Sequence, residues 1–181
     1  YSSAASDVYK RQLGEGLQVL KAVEYRAEGV DIDTAADRLL EGRHNMCQVF
    51  TVDNLKYLKK GGRISNLKAA VGTVLQIKPL LKGDPEGKIV CFAQVRGRKK
   101  SIELMAEQYD RYVEHAECET IGIAHGDCPE DAEALIALLN RNHPPKNIIN
   151  ACYEPMTGAH VGPGALALFF YGKKEFRQAT K

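Results

Sequence analysis

Short runs of β-branched and aromatic residues alternate with helix-patterned segments along most of this 181-residue chain. Strand-like runs fall at residues 47–52, 78–81, 88–96, 120–124, 147–153 and 165–170. Apolar residues at helical spacing occupy residues 13–28, 32–40, 54–60, 99–116 and 129–141, and Ser65 can cap a further helix. Turn residues at 83–87 indicate a hairpin between the second and third runs. The sequence therefore predicts an α/β fold built on a six-stranded mixed sheet covered by helices.

The composition indicates a folded chain in a reducing compartment. Hydrophobic residues make up 44% of the sequence, and no apolar run is long enough to span a bilayer. Five scattered cysteines without a Cys-x-x-Cys pair are untypical of a disulfide framework or a zinc site. No phosphate-binding loop or dinucleotide-binding glycine motif follows a strand. We therefore predict a cytoplasmic protein without a membrane span, a metal or a cofactor.

Basic residues are concentrated in one stretch of the chain. From Asn54 to Lys100 there are twelve Lys or Arg and two acidic residues, a local balance of +10, whereas the remainder has a balance of −8. Such asymmetry predicts a face that meets an anionic ligand or partner. Nucleic acid is a weak candidate, because only Tyr57 and Phe92 in this stretch could stack on bases.

A glycine-rich segment with one histidine, at residues 158–169, is the most specific feature of the sequence. Gly162 and Gly164 would let backbone N–H groups approach an anion, and His160 could donate a charge-assisted hydrogen bond to a carboxylate or phosphate. The residues that follow are small or apolar, as in a closely packed strand. The pattern also fits a plain glycine turn with an internally bonded histidine, and spacing alone leaves both interpretations open.

A second candidate site lies where Asp53 is expected to cap a short helix that ends at Gly61 and Gly62. Arg63 follows and could offer a planar guanidinium to an anion at the start of the next helix. The alternative is a helical corner with solvated cations. Residues 96–100 are interpreted as an exposed basic helix start, and residues 125–127 as turn and cap residues without a catalytic role.

Residues 53–65 and residues 160–164 together resemble the two hallmark motifs of the DegV family of fatty-acid-binding proteins. Their order and separation fit that family, and the resemblance extends over residues 13–170. It implies a first domain with a parallel sheet and a second domain with a six-stranded mixed sheet. Residues 13–43 would be a helical remnant of the first domain, and residues 44–181 a DegV-like carboxyl-terminal domain. Residues 1–12, which lack an initiator Met and a clear period, are expected to be a non-native leader.

The resemblance also implies a ligand and a site. A long-chain fatty acid would lie between the two domains, its carboxylate held by hydroxyl residues of the first domain and by the motif histidine, here His160. Gly162 and Gly164 would line the head-group site, and Arg63 would lie near the head group and the partner surface. The protein would be a lipid carrier with no catalytic residue of its own. It would present the acid to a separate bacterial kinase that forms the acyl phosphate.

Two departures from the family pattern accompany the resemblance. Ala167 stands where the motif usually has Gly, and the first-domain hydroxyl residues do not appear in this sequence. We therefore expect weak or absent lipid binding by this chain alone, and an exposed apolar surface on the helices of residues 13–43. The alternative function is a substrate-binding subunit related to dihydroxyacetone kinase. It would need a polar pocket, which the apolar residues 165–170 argue against.

Overall fold

The computed structural model describes residues 13–60, residue 62 and residues 76–178. The helices are α1 (Leu13–Ala27), α2 (Ile32–Gly42), α3 (Leu55–Lys60), α4 (Arg98–Tyr112), α5 (Pro129–Asn142), α6 (Pro155–Val161) and α7 (Glu175–Gln178), and a 3-10 helix spans Ala116–Cys118. The strands are β1 (Met46–Thr51), β2 (Ile77–Gly83), β3 (Ile89–Arg96), β4 (Thr120–His125), β5 (Asn147–Cys152) and β6 (Leu166–Tyr171). The helix predicted to begin at Ser65 lies outside the described residues.

Six strands of the described ranges form one mixed sheet in the order β3-β2-β1-β6-β4-β5. Neighbouring strands are antiparallel except β4 and β5, which run parallel because α5 carries the chain back across the sheet. The predicted hairpin joins β2 to β3, and Asp84 in its turn accepts a hydrogen bond from the Lys88 N–H. The predicted six-stranded mixed sheet is thus confirmed.

Side chains of the central strand β6 alternate between two apolar layers. Leu166, Leu168 and Phe170 face a layer completed by α4 and α5. Ala167 and Phe169 face the opposite layer, which we call the site layer. The site layer consists of Leu17, Met46, Phe50, Val52, Leu58, Leu81, Ala124, Val161, Ala165, Ala167 and Phe169. A strand buried on both faces needs an unbroken apolar run, which explains the sequence at residues 165–170.

Helix α1 attaches the first helical pair to the sheet. Leu17 inserts into the site layer and is 2% exposed. Leu13 packs on Gly122 of β4, where a Cβ atom would lie 2.6 Å from the leucine side chain. At the far end of the contact, Lys21 Nζ lies 2.8 Å from a carboxylate oxygen of Glu119. The attachment therefore combines buried apolar packing with one partly exposed ion pair.

Several apolar side chains of α1 and α2 face solvent, which confirms the exposed apolar surface that the sequence predicted. Val19, Leu20 and Val23 on α1 are at least 40% exposed, and Ile32 at the start of α2 is 84% exposed. In the described part of the chain, no helix combines the length and the apolar character needed to cross a bilayer.

Three helices differ from the sequence prediction. Helix α4 ends at Tyr112, four residues before the predicted end, because Val113 turns to an extended conformation and bridges to Gly172. Helices α6 and α7 were not predicted, and α6 carries His160. His160 therefore lies on a helix where the sequence predicted only a glycine turn.

Candidate functional site

His160 lies in the last turn of α6. The helix begins with Pro155 at a first-turn position, and the Glu154 carboxylate before it accepts a hydrogen bond of 2.7 Å from the Thr157 N–H. Glutamate is not among the preferred N-cap residues, and Gly158 lies inside the helix, so the usual helix signals are weak here. Proline at the start was the one available signal.

The helix ends in a turn that requires glycine at two positions. Gly162 has a φ of 80° and Gly164 a φ of 74°, a left-handed region that favours glycine. The Gly162 N–H donates to the Gly158 carbonyl at 2.8 Å, and the Gly164 N–H donates to the Gly126 carbonyl at 2.7 Å. Both N–H groups thus hold the turn together in this structure. A ligand role for the two glycines stays a prediction.

The imidazole of His160 is half-buried, and among the residues that the structure describes it has no hydrogen-bond or ion-pair partner. Val161, the next residue, is buried in the site layer. Met156 lies four residues earlier, on the same side of α6 as His160, and is 68% exposed. An imidazole at the border of an apolar layer and solvent can donate a hydrogen bond to an anionic group whose remainder is apolar.

The turn rests on the end of β4. The Gly126 N–H donates to the Ala165 carbonyl at 2.7 Å, and a Cβ atom at Gly126 would lie 2.6 Å from the Gly162 carbonyl oxygen. His125, 9% exposed, accepts the Cys128 N–H on its Nδ1 at 3.3 Å, at the start of α5. Turn and cap chemistry at the end of this strand is what the sequence predicted.

A charge cluster lies against the other side of the turn. A carboxylate oxygen of Asp53 lies 2.7 Å from Lys78 Nζ and 3.7 Å from a guanidinium nitrogen of Arg98. Arg98 Nε in turn lies 2.8 Å from a carboxylate oxygen of Asp131. A Cβ atom at Gly164 would lie 2.7 Å from the Asp53 carboxyl group, so Asp53 packs directly on that glycine.

The predicted role of Asp53 as the cap of α3 is therefore wrong. Its carboxylate pairs with the two cations of the cluster, and the neighbouring Asn54 accepts the Lys56 N–H at 2.9 Å instead. Asparagine is as good an N-cap residue as aspartate, so Asn54 can cap α3 while Asp53 is held in its ion pairs.

The basic residues between Asn54 and Lys100 have different surroundings in the structure. Lys82 is 2% exposed, donates to the Phe176 carbonyl, and its pKa is lowered by burial. Lys78 and Arg98 pair with carboxylates distant in sequence, whereas Lys99 is exposed and the exposed Lys100 pairs with Glu103 and Glu107 of its own helix. The interpretation of residues 96–100 as a solvated helix start therefore fails at Arg98, whose partners Asp53, which lies after β1, and Asp131 on α5 are distant in sequence.

The second candidate site falls largely outside the described residues. Gly62 has a φ of 70°, and its N–H donates to the Lys59 carbonyl at 3.0 Å, in agreement with a helix stop at this glycine. Gly61, Arg63 and Ser65 lie in the part of the chain that the structure does not describe.

Together, the fold and the site define a class of protein: an α/β domain whose mixed sheet presents an imidazole at a glycine turn beside an apolar layer. The family model described as the DegV family of uncharacterised proteins matches residues 6–173. This chain belongs to the DegV family.

Known relatives agree with this assignment. A DegV domain-containing protein of Clostridium perfringens is 39% identical over 160 residues, which is 88% of this chain and 55% of that protein. A solved DegV family protein of Ruminococcus gnavus with vaccenic acid is 26% identical, with a TM-score of 0.80 over 86% of this chain and 55% of its own. A solved fatty acid binding DegV family protein of Streptococcus agalactiae is 30% identical, with a TM-score of 0.75 over 88% of this chain and 56% of its own. The chain spans about half the length of the relatives it matches.

Proposed function

We propose that this chain supplies the second half of a fatty-acid carrier, in which His160 donates a hydrogen bond to the acyl carboxylate. The observation that carries the proposal is the half-buried imidazole without a protein partner in the described ranges, which precedes Val161 of the site layer in sequence. Family membership and the fatty acids named for solved members support the choice of ligand. The carrier has no chemistry of its own in this proposal.

The energetics favour an amphipathic ligand with one anionic end. Burial of each CH₂ group of an acyl tail contributes roughly 0.8 kcal/mol, so the tail supplies most of the affinity. Burial of an unpaired carboxylate in a low-dielectric site costs several kcal/mol. The carboxylate must therefore lie where hydrogen-bond donors are available. Because the N–H groups of Gly162 and Gly164 are engaged within the turn, His160 is the donor that this segment offers.

We also propose the domain division that the resemblance implies, with residues 13–43 belonging to the first domain and residues 44–181 forming the second. The exposed Val19, Val23 and Ile32 support it, because such side chains suit a surface that packs against further protein. The resemblance assigns the hydroxyl residues that would complete the carboxylate site to the first domain. For binding experiments we therefore define the extended chain as residues 13–181 joined to the part of the Clostridium perfringens relative that this chain does not cover.

The test compares oleate affinity of the extended chain and its His160→Ala variant. A hydrogen bond to a charged group contributes roughly 1.5–3 kcal/mol, so we expect affinity to fall roughly tenfold or more. His143→Ala is the matched control, because that side chain is exposed at the end of α5, remote in sequence from the turn. Equal affinity of the His160 variant and its parent would refute the role, and high affinity of the 181-residue chain alone would refute the need for the first domain.

The carrier would act in the cytoplasm, where a separate kinase phosphorylates the bound acid. Five free thiols agree with a reducing compartment. Arg63 is proposed to lie at the surface that meets the kinase. Arg63→Ala in the extended chain should leave oleate affinity intact and slow acyl phosphate formation by the separate kinase. Equal phosphorylation rates would remove Arg63 from the partner surface. Binding of dihydroxyacetone in place of oleate would instead favour the kinase-substrate alternative.

A further inference from the structure

Two side chains from one short segment contact the two glycines that follow His160. A Cβ atom at Gly162 would lie 2.4 Å from the Tyr57 ring, and one at Gly164 would lie 2.7 Å from the Asp53 carboxyl group. Both distances are shorter than any that real Cβ atoms make, so each glycine leaves room for one side chain of the segment. Asp53 lies two residues after the end of β1, and Tyr57 lies in α3.

Charged side chains of β2, α4 and α5 hold the segment in place. Asp53 is paired with Lys78 of β2 and with Arg98 at the start of α4. Arg98 is fixed by Asp131 of α5 at 2.8 Å, so its guanidinium cannot easily follow a displaced Asp53. These charged groups are partly covered by protein, which makes their interactions stronger than those of a fully exposed pair.

The contacts act on the carboxyl end of α6. Gly162 is the residue that ends the helix, and His160 lies two residues before it in the last turn. The Tyr57 ring therefore packs against the residue that ends α6. Asp53 limits the next part of the turn through Gly164.

We infer that Tyr57 and Asp53 are positioning residues that fix the orientation of the His160 imidazole. The inference rests on the proposed function, because orientation matters only if His160 meets a carboxylate. It also gives a physical reason for the pairing of the two sequence motifs. Asp53 and Tyr57, which belong to the motif at residues 53–65, pack on the glycines of the motif at residues 160–164. Each motif therefore needs the other to keep its geometry.

The first experiment uses the 181-residue chain without lipid. Imidazole nitrogen and proton resonances of His160 are recorded by NMR for the parent, Tyr57→Ala, Tyr57→Phe and Tyr25→Ala. Tyr57→Ala should shift and broaden the His160 signals, whereas Tyr57→Phe should restore the parent spectrum, because no hydrogen bond of the hydroxyl occurs within the described residues. Tyr25→Ala removes a comparable half-exposed ring on α1 and should leave them unchanged. An unshifted His160 signal in Tyr57→Ala would overturn the inference.

The second experiment is a double-mutant cycle on oleate affinity in the extended chain. Tyr57→Ala should weaken binding roughly tenfold in the parent and less than about twofold in the His160→Ala background, because its effect passes through the imidazole. Asp53→Ala should behave in the same way. Additive losses would show a merely structural role and overturn the inference, while the effect of His160→Ala itself would stand. If His160→Ala leaves affinity unchanged, the proposed function fails, and the inference fails with it.

Discussion

Replacement of Leu17 by alanine tests what holds the first helical pair on the sheet. Leu17 is 2% exposed and is the side chain of α1 buried in the site layer. Loss of three carbon atoms at roughly 0.8 kcal/mol each gives about 2.4 kcal/mol, and the residual cavity raises the expected cost to roughly 2–5 kcal/mol. The neighbouring pair of Lys21 and Glu119, with side chains 20% and 18% exposed, contributes about 1 kcal/mol or less.

Urea unfolding and amide hydrogen exchange measure the two contributions separately. We expect Leu17→Ala to lower the free energy of unfolding by the amount above, and amides of α1 to lose protection before those of β6. Lys21→Ala is the control, and its smaller cost should decrease further in 1 M salt, where the Debye length is roughly 3 Å. The reasoning is refuted if Lys21→Ala costs as much as Leu17→Ala, or if β6 loses protection together with α1.

Three further predictions concern the cysteines and Tyr109. At pH 8 a thiol reagent should label Cys118 and Cys152 quickly, because both are exposed, and Cys47 only on unfolding; fast labelling of Cys47 would contradict its burial. Burial raises the pKa of Cys47 from 9.0 to about 12. The buried thiol therefore contributes fully to stability below pH 9, and this contribution is lost as the pH rises towards 12. Urea titrations at pH 8 and pH 11 should show that the free energy of unfolding falls less with pH in Cys47→Ala than in the parent. Tyr109→Phe should lower the free energy of unfolding by about 1 kcal/mol, because the hydroxyl donates to a backbone carbonyl at 2.9 Å; no change in the urea midpoint would exclude that bond.

The sheet was predictable because strand signals and burial agree at each position. Residues 165–170 are apolar without interruption, and β6 is buried on both faces between β1 and β4. The turn at residues 83–87 has the glycines, proline and aspartate that a hairpin connection needs, and β2 and β3 pair across it. Local chemistry and tertiary structure require the same conformation there, so a reading of the sequence alone was sufficient.

The site was only partly predictable, because its details depend on contacts between distant segments. His160 and its glycines were visible in the sequence, but the helix under His160 was hidden by a glutamate cap and an internal glycine. The contact of Tyr57 with Gly162 joins residues more than a hundred positions apart, and no local pattern reports it. The role of Asp53 was misjudged for the same reason, since its partners lie on β2 and α4.

The place of β6 in the sheet has a consequence for how the candidate site responds to thermal motion. Two strands, β1 and β2, separate it from the edge strand β3, and one strand, β4, separates it from the edge strand β5. Strand ends at the rims open most readily, and such fluctuations fade towards the middle of a hydrogen-bonded sheet. The strand that leads out of the glycine turn therefore lies in the part of the sheet where such fluctuations are small.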